Sequence, residues 1–221
     1  MSDNKKAPLI IYQDEHLIVA NKPSGLVIDH PTINENLRAI LSRSLDQNLF
    51  IINRLDQAAS GICLLARSSS VAGKLNAILM NGEIDKKYLA VVATGIALEK
   101  DSFETYIYRN ARLKKAFVNL EKGKKAKLSY ELICTSDRYD LLEVKIEHGR
   151  FHQIRCMLAS KGMPIKGDVK YGFRRANKER FIHLHAKSLT FKHPYTGRIV
   201  SFSAPLPSET LWQFFAKSLR D

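Results

Sequence analysis

At 221 residues, 45% hydrophobic and 26% charged, the chain has ordinary globular composition, and the expectation is a single α+β domain spanning residues 1–221. No apolar run approaches the roughly 18 to 20 residues of a membrane span, and the opening stretch MSDNKKAPLIIYQDEHL has no apolar core of the kind an export leader needs, which points to the cytoplasm and away from a membrane. Against 22 Asp plus Glu stand 35 Lys plus Arg, a net charge of +13, and that excess favours a polyanionic partner.

In chain order, LIIYQDEHLIVANKPSG reads as strand, acidic turn, strand and a Pro23-Ser24-Gly25 turn, a hairpin. Leu37, Ile40, Leu41 and Leu45 have helical spacing, with Thr32 or Asn34 as the expected cap. LFII and GICLLAR are strand-like and flank Arg54-Leu55-Asp56. Ser68 to Ser70 form a capping cluster for a helix with Val71, Leu75, Ile78 and Leu79 on one face, ending near Asn81-Gly82. KKYLAVVAT is a β-run, and LSYELICT with YDLLEVKIEH makes a second hairpin about Ser136-Asp137-Arg138. HQIRCMLASKG reads as a short helix stopped by Gly162, HLHAKSLTF and RIVSFSAP as late strands about an HPYTG turn, and SETLWQFFAKSL as a closing helix capped by Ser208. Strands dominate without regular βαβ alternation, so the sheet is expected to be mostly antiparallel, with flanking helices.

The positive charge is uneven. Residues 109–127 hold eight Lys or Arg and one acid, Glu121, and RRANKER (174–180) is a second cluster. A single lysine in such a run is most often a solvated surface group. Two clusters interleaved with Tyr106, Tyr108, Phe117, Tyr171 and Phe173 suit RNA, since backbone contacts plus aromatic faces are what unpaired bases need. Lys114, Lys115, Lys124 and Lys125 are the candidate phosphate contacts. Cys63, Cys134 and Cys156 are odd in number and sit in apolar segments, as reduced core residues do.

Arg54 and Asp56 raise a sharper question, because an ionised Asp in an apolar context is costly unless paired. An isolated R-x-D reads as a structural salt bridge. A second polar island, Arg150, His152, Gln153 and Arg155, beside an apolar helix face shifts the reading to a shared basic cleft. His148, His152 and Cys156 recur every four residues, but no carboxylate completes a metal set, so no metal is expected. His183 and His185 read as packed or surface histidines, and Ser60-Gly61 lacks the rest of a nucleophile elbow.

Several segments taken together resemble the RluA-like RNA pseudouridine synthases over nearly the whole chain. IIYQDEHLIVANKPSGLVIDHP is similar to the family's opening strands and N-K-P-x-G turn, and INRLDQAASGI to its H-R-L-D-x-x-T-S-G motif. KKYLAVV resembles K-x-Y-x-A-x-V, GRFHQIRCMLASKGMPIKGDVKYG resembles G-R-T-H-Q-I-R-x-H-L-x-x-x-G-x-P-I-x-G-D-x-x-Y-G, and LHAKSLTFKHPYTGRIVSFSAPLP the closing L-H-A and A-P-L-P segments. The resemblance implies the pseudouridine synthase fold with a basic active-site cleft. Carried over residue by residue, it makes Asp56 the nucleophile, Tyr88 the ring beside the target uracil, Arg155 the partner of the Asp56 carboxylate, and Arg54 the side chain that fills the place of the flipped base. Arg150 and His152 join the RNA-binding set. Asn53, Ala59, Phe151 and Met157 depart from the usual His, Thr, Thr or Ser, and His. The family's S4-type RNA-binding domain has no counterpart here, so the catalytic domain alone is expected to grip RNA.

The implied activity is that of an isomerase converting uridine to pseudouridine in tRNA or ribosomal RNA. The reaction breaks the N1 to C1′ bond, turns the ring and joins C5 to C1′ without redox change, so no cofactor is expected, and the protein is expected to act as a monomer. Attack at C1′, addition to C6 and abstraction of the 2′ proton all remain open for Asp56. The competing reading, supported by the four departures, is a synthase-fold RNA chaperone or assembly factor without catalysis.

Overall fold

The computed structural model describes residues 8–119 and 121–219; of the stretch read for a leader, residues 1–7 lie outside the described residues. In chain order the elements are β1 (Leu9–Gln13), β2 (Leu17–Lys22), α1 (Leu37–Ser44), β3 (Phe50–Ile51), β4 (Ser60–Ala66), α2 (Ser69–Met80), β5 (Asp85–Ala93) and β6 (Lys100–Asn110). They continue with β7 (Lys115–Asn119), β8 (Lys124–Thr135), β9 (Tyr139–Ile146), α3 (Gln153–Ser160), a 3-10 turn (Val169–Tyr171), β10 (Leu184–Lys192), β11 (Ile199–Ser203) and α4 (Thr210–Ala216). The chain divides into two compact units, Met1–Asp85 with Ala186–Pro207, and Lys86–His185 with Ser208–Asp221.

In the first unit β2 pairs antiparallel with β1 and with β4, in a register that sets Leu17 against Ala66 and Lys22 against Gly61. Every residue of β4 is buried, as a continuous apolar run covered on both faces should be. Its one glycine, Gly61, has φ +114 and abuts the backbone of Ala186, so that a Cβ there would collide with the Ala186 carbonyl. The core gathers Ile18, Ala20, Ile28, Leu37, Leu41, Leu49, Cys63 and Leu65. Leu37 and Leu41 are the buried stripe of α1, but its cap is Asn36, whose side chain accepts the Ala39 N–H at 2.9 Å, and not Thr32 or Asn34. Extended backbone at Asn36 lets its short side chain reach the third helical N–H, which residues farther upstream cannot do. Ser68 caps α2 as expected.

The second unit is an antiparallel sheet in the order β5-β9-β8-β6-β7. The hairpin about residues 136–138 forms as expected, whereas β7 and the first residues of β8 occupy the stretch read only as a charge run, and β6 precedes it where no strand was expected. Phe103, Thr105 and Ile107 alternate inward on β6 between outward Ser102, Glu104 and Tyr106, a period-two signal that the lysines of the partner strand obscured. At the closing helix α4 the cap is Glu209 and not Ser208: its Oε2 accepts the N–H groups of Leu211 and Trp212. The longer carboxylate wins because it also receives the buried His183 Nε2 at 3.1 Å. No described helix is long and apolar enough to cross a membrane.

Candidate active site

Arg54, Leu55 and Asp56 do not lie within a strand. They sit in the connection from β3 to β4, where Leu55 packs on the core while Arg54 is exposed and Asp56 half-buried. The apolar middle residue anchors the triplet and its charged neighbours stay outside the core, so two charges between buried runs carry no burial penalty of the kind an interior strand would impose.

Polar contacts hold this loop rigid. Asn53, buried, accepts the Leu64 N–H at 2.6 Å and donates to the Ile62 carbonyl at 3.2 Å, so its amide continues the ladder of β4 where the main chain leaves it. Gly25 N–H donates to the Gln57 carbonyl at 2.7 Å and the Gln57 amide returns a bond to Gly25 O at 3.1 Å, while Ala59 N–H closes a turn on the Asp56 carbonyl.

Beneath them lies Lys22, whose side chain is wholly buried. Its ammonium donates to the carbonyls of Pro23 and Leu26, each at 2.9 Å, and of Ala59 at 2.6 Å, with Gln57 O at 3.4 Å. Burial pushes the Lys22 ammonium down to about 8, opposed by Cys63 and Asp56. Burial also pushes the Cys63 thiol up to about 12, so at neutral pH that thiol is uncharged. Sequence reading passed over Lys22 as part of a turn motif. The signal was available, since a lysine that follows LIVAN at the inner end of a buried strand requires partners.

The second unit carries the other candidates. Tyr88 stands on β5 opposite Val144 of β9 and is 8% exposed. Arg155, in the first turn of α3, meets Asp168 in a two-pronged pair, Nε to Oδ2 at 2.6 Å and Nη2 to Oδ1 at 2.9 Å, with the two side chains 7% and 1% exposed. Asp168 is a site residue the sequence reading missed, although it stands in the PIKGDVKYG segment already singled out. Its position is fixed in turn, because the N–H groups of Tyr171 and Phe173 both donate to its carbonyl.

The helix that carries Arg155 begins in an unusual way. His152 adopts left-handed backbone, φ 52 and ψ 28, immediately before α3, and Gln153 bridges the Arg150 N–H to the Lys127 carbonyl. Arg150 donates through Nε to the Lys125 carbonyl at 3.2 Å. The Tyr171 hydroxyl accepts the Ala116 N–H at 2.8 Å and lies 2.9 Å from His152 Nδ1. A backbone N–H can only donate, so the hydroxyl accepts from Ala116 and keeps its own proton and a second lone pair on the side of His152. Burial raises the Tyr171 hydroxyl pKa, which keeps that proton in place.

The four lysines of the charge run differ. Lys114 and Lys124 are exposed; Lys125 is exposed but paired with Glu104 at 3.0 Å, and that bond raises its pKa. Lys115 is half-buried with its ammonium 5.0 Å from the Tyr171 ring and 5.4 Å from Phe117. The departures from the family motif also have places. Ala59 and Met157 are core residues, Asn53 is the ladder described above, and Phe151 stacks on His152 with ring centroids 3.9 Å apart. Cys156 is a buried thiol whose pKa burial pushes up to about 11. His183 is packed, between Glu209 and Asn177.

Comparison with known proteins places this arrangement. The pattern of the family described as RNA pseudouridylate synthase matches residues 16–160. The chain is 31% identical over 219 residues to a protein of Yersinia pestis named tRNA pseudouridine synthase C, covering 88% of this chain and 85% of that protein. It is 29% identical over 222 residues to ribosomal large subunit pseudouridine synthase D of Zymomonas mobilis, covering 90% of this chain and 69% of the relative. Among solved structures, human RNA pseudouridylate synthase domain containing 4 superposes with a TM-score of 0.75 at 24% identity, over 96% of this chain and 92% of that one, and so shares its fold. With the fold and the family pattern in agreement, the chain belongs to the RluA-like RNA pseudouridine synthases and is an RNA-modifying isomerase.

Proposed function

We propose that the protein converts particular uridines of tRNA or ribosomal RNA to pseudouridine, with Asp56 as the reacting carboxylate. The observation that carries the proposal is the setting of Asp56: half-buried, on a loop tied down by Asn53, Gln57 and the buried ammonium of Lys22. A carboxylate held in one place near a dry positive charge is pre-aimed, which is what nucleophilic or general-base chemistry needs. Tyr88 and Arg155 are assigned by their motif positions, the ring against the uracil and the guanidinium as partner of the Asp56 carboxylate. Asp168 already engages two of the Arg155 nitrogens, so the guanidinium would be presented in a fixed plane.

The target uridine must leave its stack, at a cost of a few kcal/mol that is least in loops. Arg54, exposed beside Asp56, is the side chain to fill the vacated space. Arg150, His152, Lys114, Lys115, Lys124 and Lys125 supply the RNA grip. Since isomerisation moves no electrons in net, the residues suffice without a cofactor. Relatives named for tRNA and for the ribosomal large subunit support structured RNA as the substrate class. We further propose that residues 1–221 act as one monomeric catalytic domain in the cytoplasm, a setting that suits three free cysteines.

The test is tritium release from RNA carrying 5-tritiated uridine, isolated from cells lacking the protein. Asp56→Asn, nearly isosteric, should abolish release while RNA affinity and melting temperature stay near wild type. Wild-type turnover in Asp56→Asn would remove Asp56 from the chemistry, and a wild-type protein that binds RNA yet releases no tritium would be a chaperone.

A further inference from the structure

We propose that Arg109 is a base-stacking residue: held over the Phe151 ring, its guanidinium is presented to an unpaired nucleobase next to the target uridine. The proposal rests on the RNA-modifying role above and adds to it a residue that reads the bases flanking the target.

Arg109 is exposed on β6, paired in register with Ala116 of β7, and its guanidinium carbon lies 4.5 Å from the centroid of the Phe151 ring. That is within the roughly 6 Å over which a cation is held by an aromatic face. Among the described residues no carboxylate or carbonyl takes a hydrogen bond or ion pair from it, in contrast to Lys125, which Glu104 holds. Its donors are left for a ligand. Phe151 is in turn stacked on His152 at an interplanar angle of 16°. His152 is fixed by left-handed backbone and by the Tyr171 hydroxyl, and Tyr171 by the Ala116 N–H.

The column therefore runs from an exposed guanidinium through three rings. It ends at Arg155, whose guanidinium carbon lies 5.0 Å from the Tyr171 centroid. A surface arginine ordinarily loses side-chain freedom when it binds; this one is ordered beforehand, which lowers the cost of stacking a base on it. The planar, weakly hydrated guanidinium suits a base face as an ammonium does not. The residue that makes the platform is also one where the chain departs from its family motif, Phe151 standing where Thr or Ser is usual. A threonine offers no ring for the guanidinium to lie on.

The experiment uses the full chain and a fluorescein-labelled, single-stranded 12-nucleotide RNA with one uridine, together with versions in which each other nucleotide in turn is abasic. Wild type should bind about tenfold more weakly when one nucleotide flanking the uridine is abasic. Arg109→Lys, which keeps the charge and the methylene cover, should bind the intact RNA about tenfold more weakly and lose nothing further at that abasic position. Its salt dependence should match wild type, because no phosphate contact is lost. Phe151→Thr should reproduce the effect, and the exposed Arg109→Lys should melt with wild type. Equal binding by Arg109→Lys and wild type, equal abasic losses in both proteins, or no position sensed by wild type would each overturn the proposal. Tritium release by wild type is scored separately: coupling without release leaves Arg109 as a base contact and ends the isomerase reading, while release without coupling does the reverse.

Discussion

Removing the Asp168 carboxylate while leaving Arg155 in place perturbs the most deeply buried ion pair described in the molecule. The pair makes two parallel bonds of 2.6 and 2.9 Å between side chains only 7% and 1% exposed, so water cannot replace the lost partner without opening the turn that follows α3. Breaking such a pair from one side costs about 3 to 5 kcal/mol, because the buried guanidinium loses the carboxylate that both Nε and Nη2 engage. A domain of this size shifts by about 2 to 4 °C per kcal/mol, so Asp168→Ala should melt roughly 6 to 20 °C below wild type in a circular-dichroism scan at pH 7. The exposed pair Lys127–Glu147, at 2.6 Å but with both side chains about half exposed, is the control, and Glu147→Gln should not move the midpoint measurably. The double variant Asp168→Ala with Arg155→Met should recover much of the loss, since the apolar side chain leaves none of the donors that Asp168 satisfied. A melting temperature for Asp168→Ala within 2 °C of wild type would refute the argument that this pair fixes the start of α3.

Two titrations give further expectations. Lys22 has a native pKa of about 8 against an ordinary 10.5, so between those values the unfolded chain binds more protons and wild-type stability should rise with pH, by about 3 kcal/mol in all. Lys22→Met should lack that rise in urea midpoints measured from pH 7.5 to 10.5, and identical slopes would show that the buried amine does not titrate there. Burial lowers His183 to about 4 from 6.5, so stability should fall as pH drops from 6.5 towards 4, while the unfolded chain takes up a proton that the native ring refuses. His183→Gln should flatten the melting-temperature profile over that window; an unchanged profile would assign the acid sensitivity to carboxylates alone.

Most elements were legible because their burial follows a single period. VANK and GICLLA declare strands, Leu37 and Leu41 a helical stripe, and Ser68 its neighbour's cap. The strands β6 and β7 were not: the lysines of 109–127 look like a solvated run, and the inward Phe103, Thr105 and Ile107 that precede it on β6 were not counted. Caps were misplaced at Thr32, Asn34 and Ser208 for a related reason: several capping residues lie within four positions of each start, and backbone conformation chooses among them.

The site shows a different limit. Asp56, Tyr88 and Arg155 were named from motifs and the four lysines from a charge run, whereas Lys22 and Asp168, which hold the loop and the helix start, were passed over. Both are buried charges, and elementary desolvation says that such a charge must be paired or clasped. What a one-dimensional pattern does not contain is the identity of the clasp: the carbonyl of Ala59 lies 37 positions from Lys22, and Arg155 lies 13 from Asp168. Phe151 makes the same point from the apolar side. In sequence it is a substitution that weakens a motif; in the fold it is a ring that His152 supports and Arg109 covers, so the departure places an arginine where the motif residue would leave it without support.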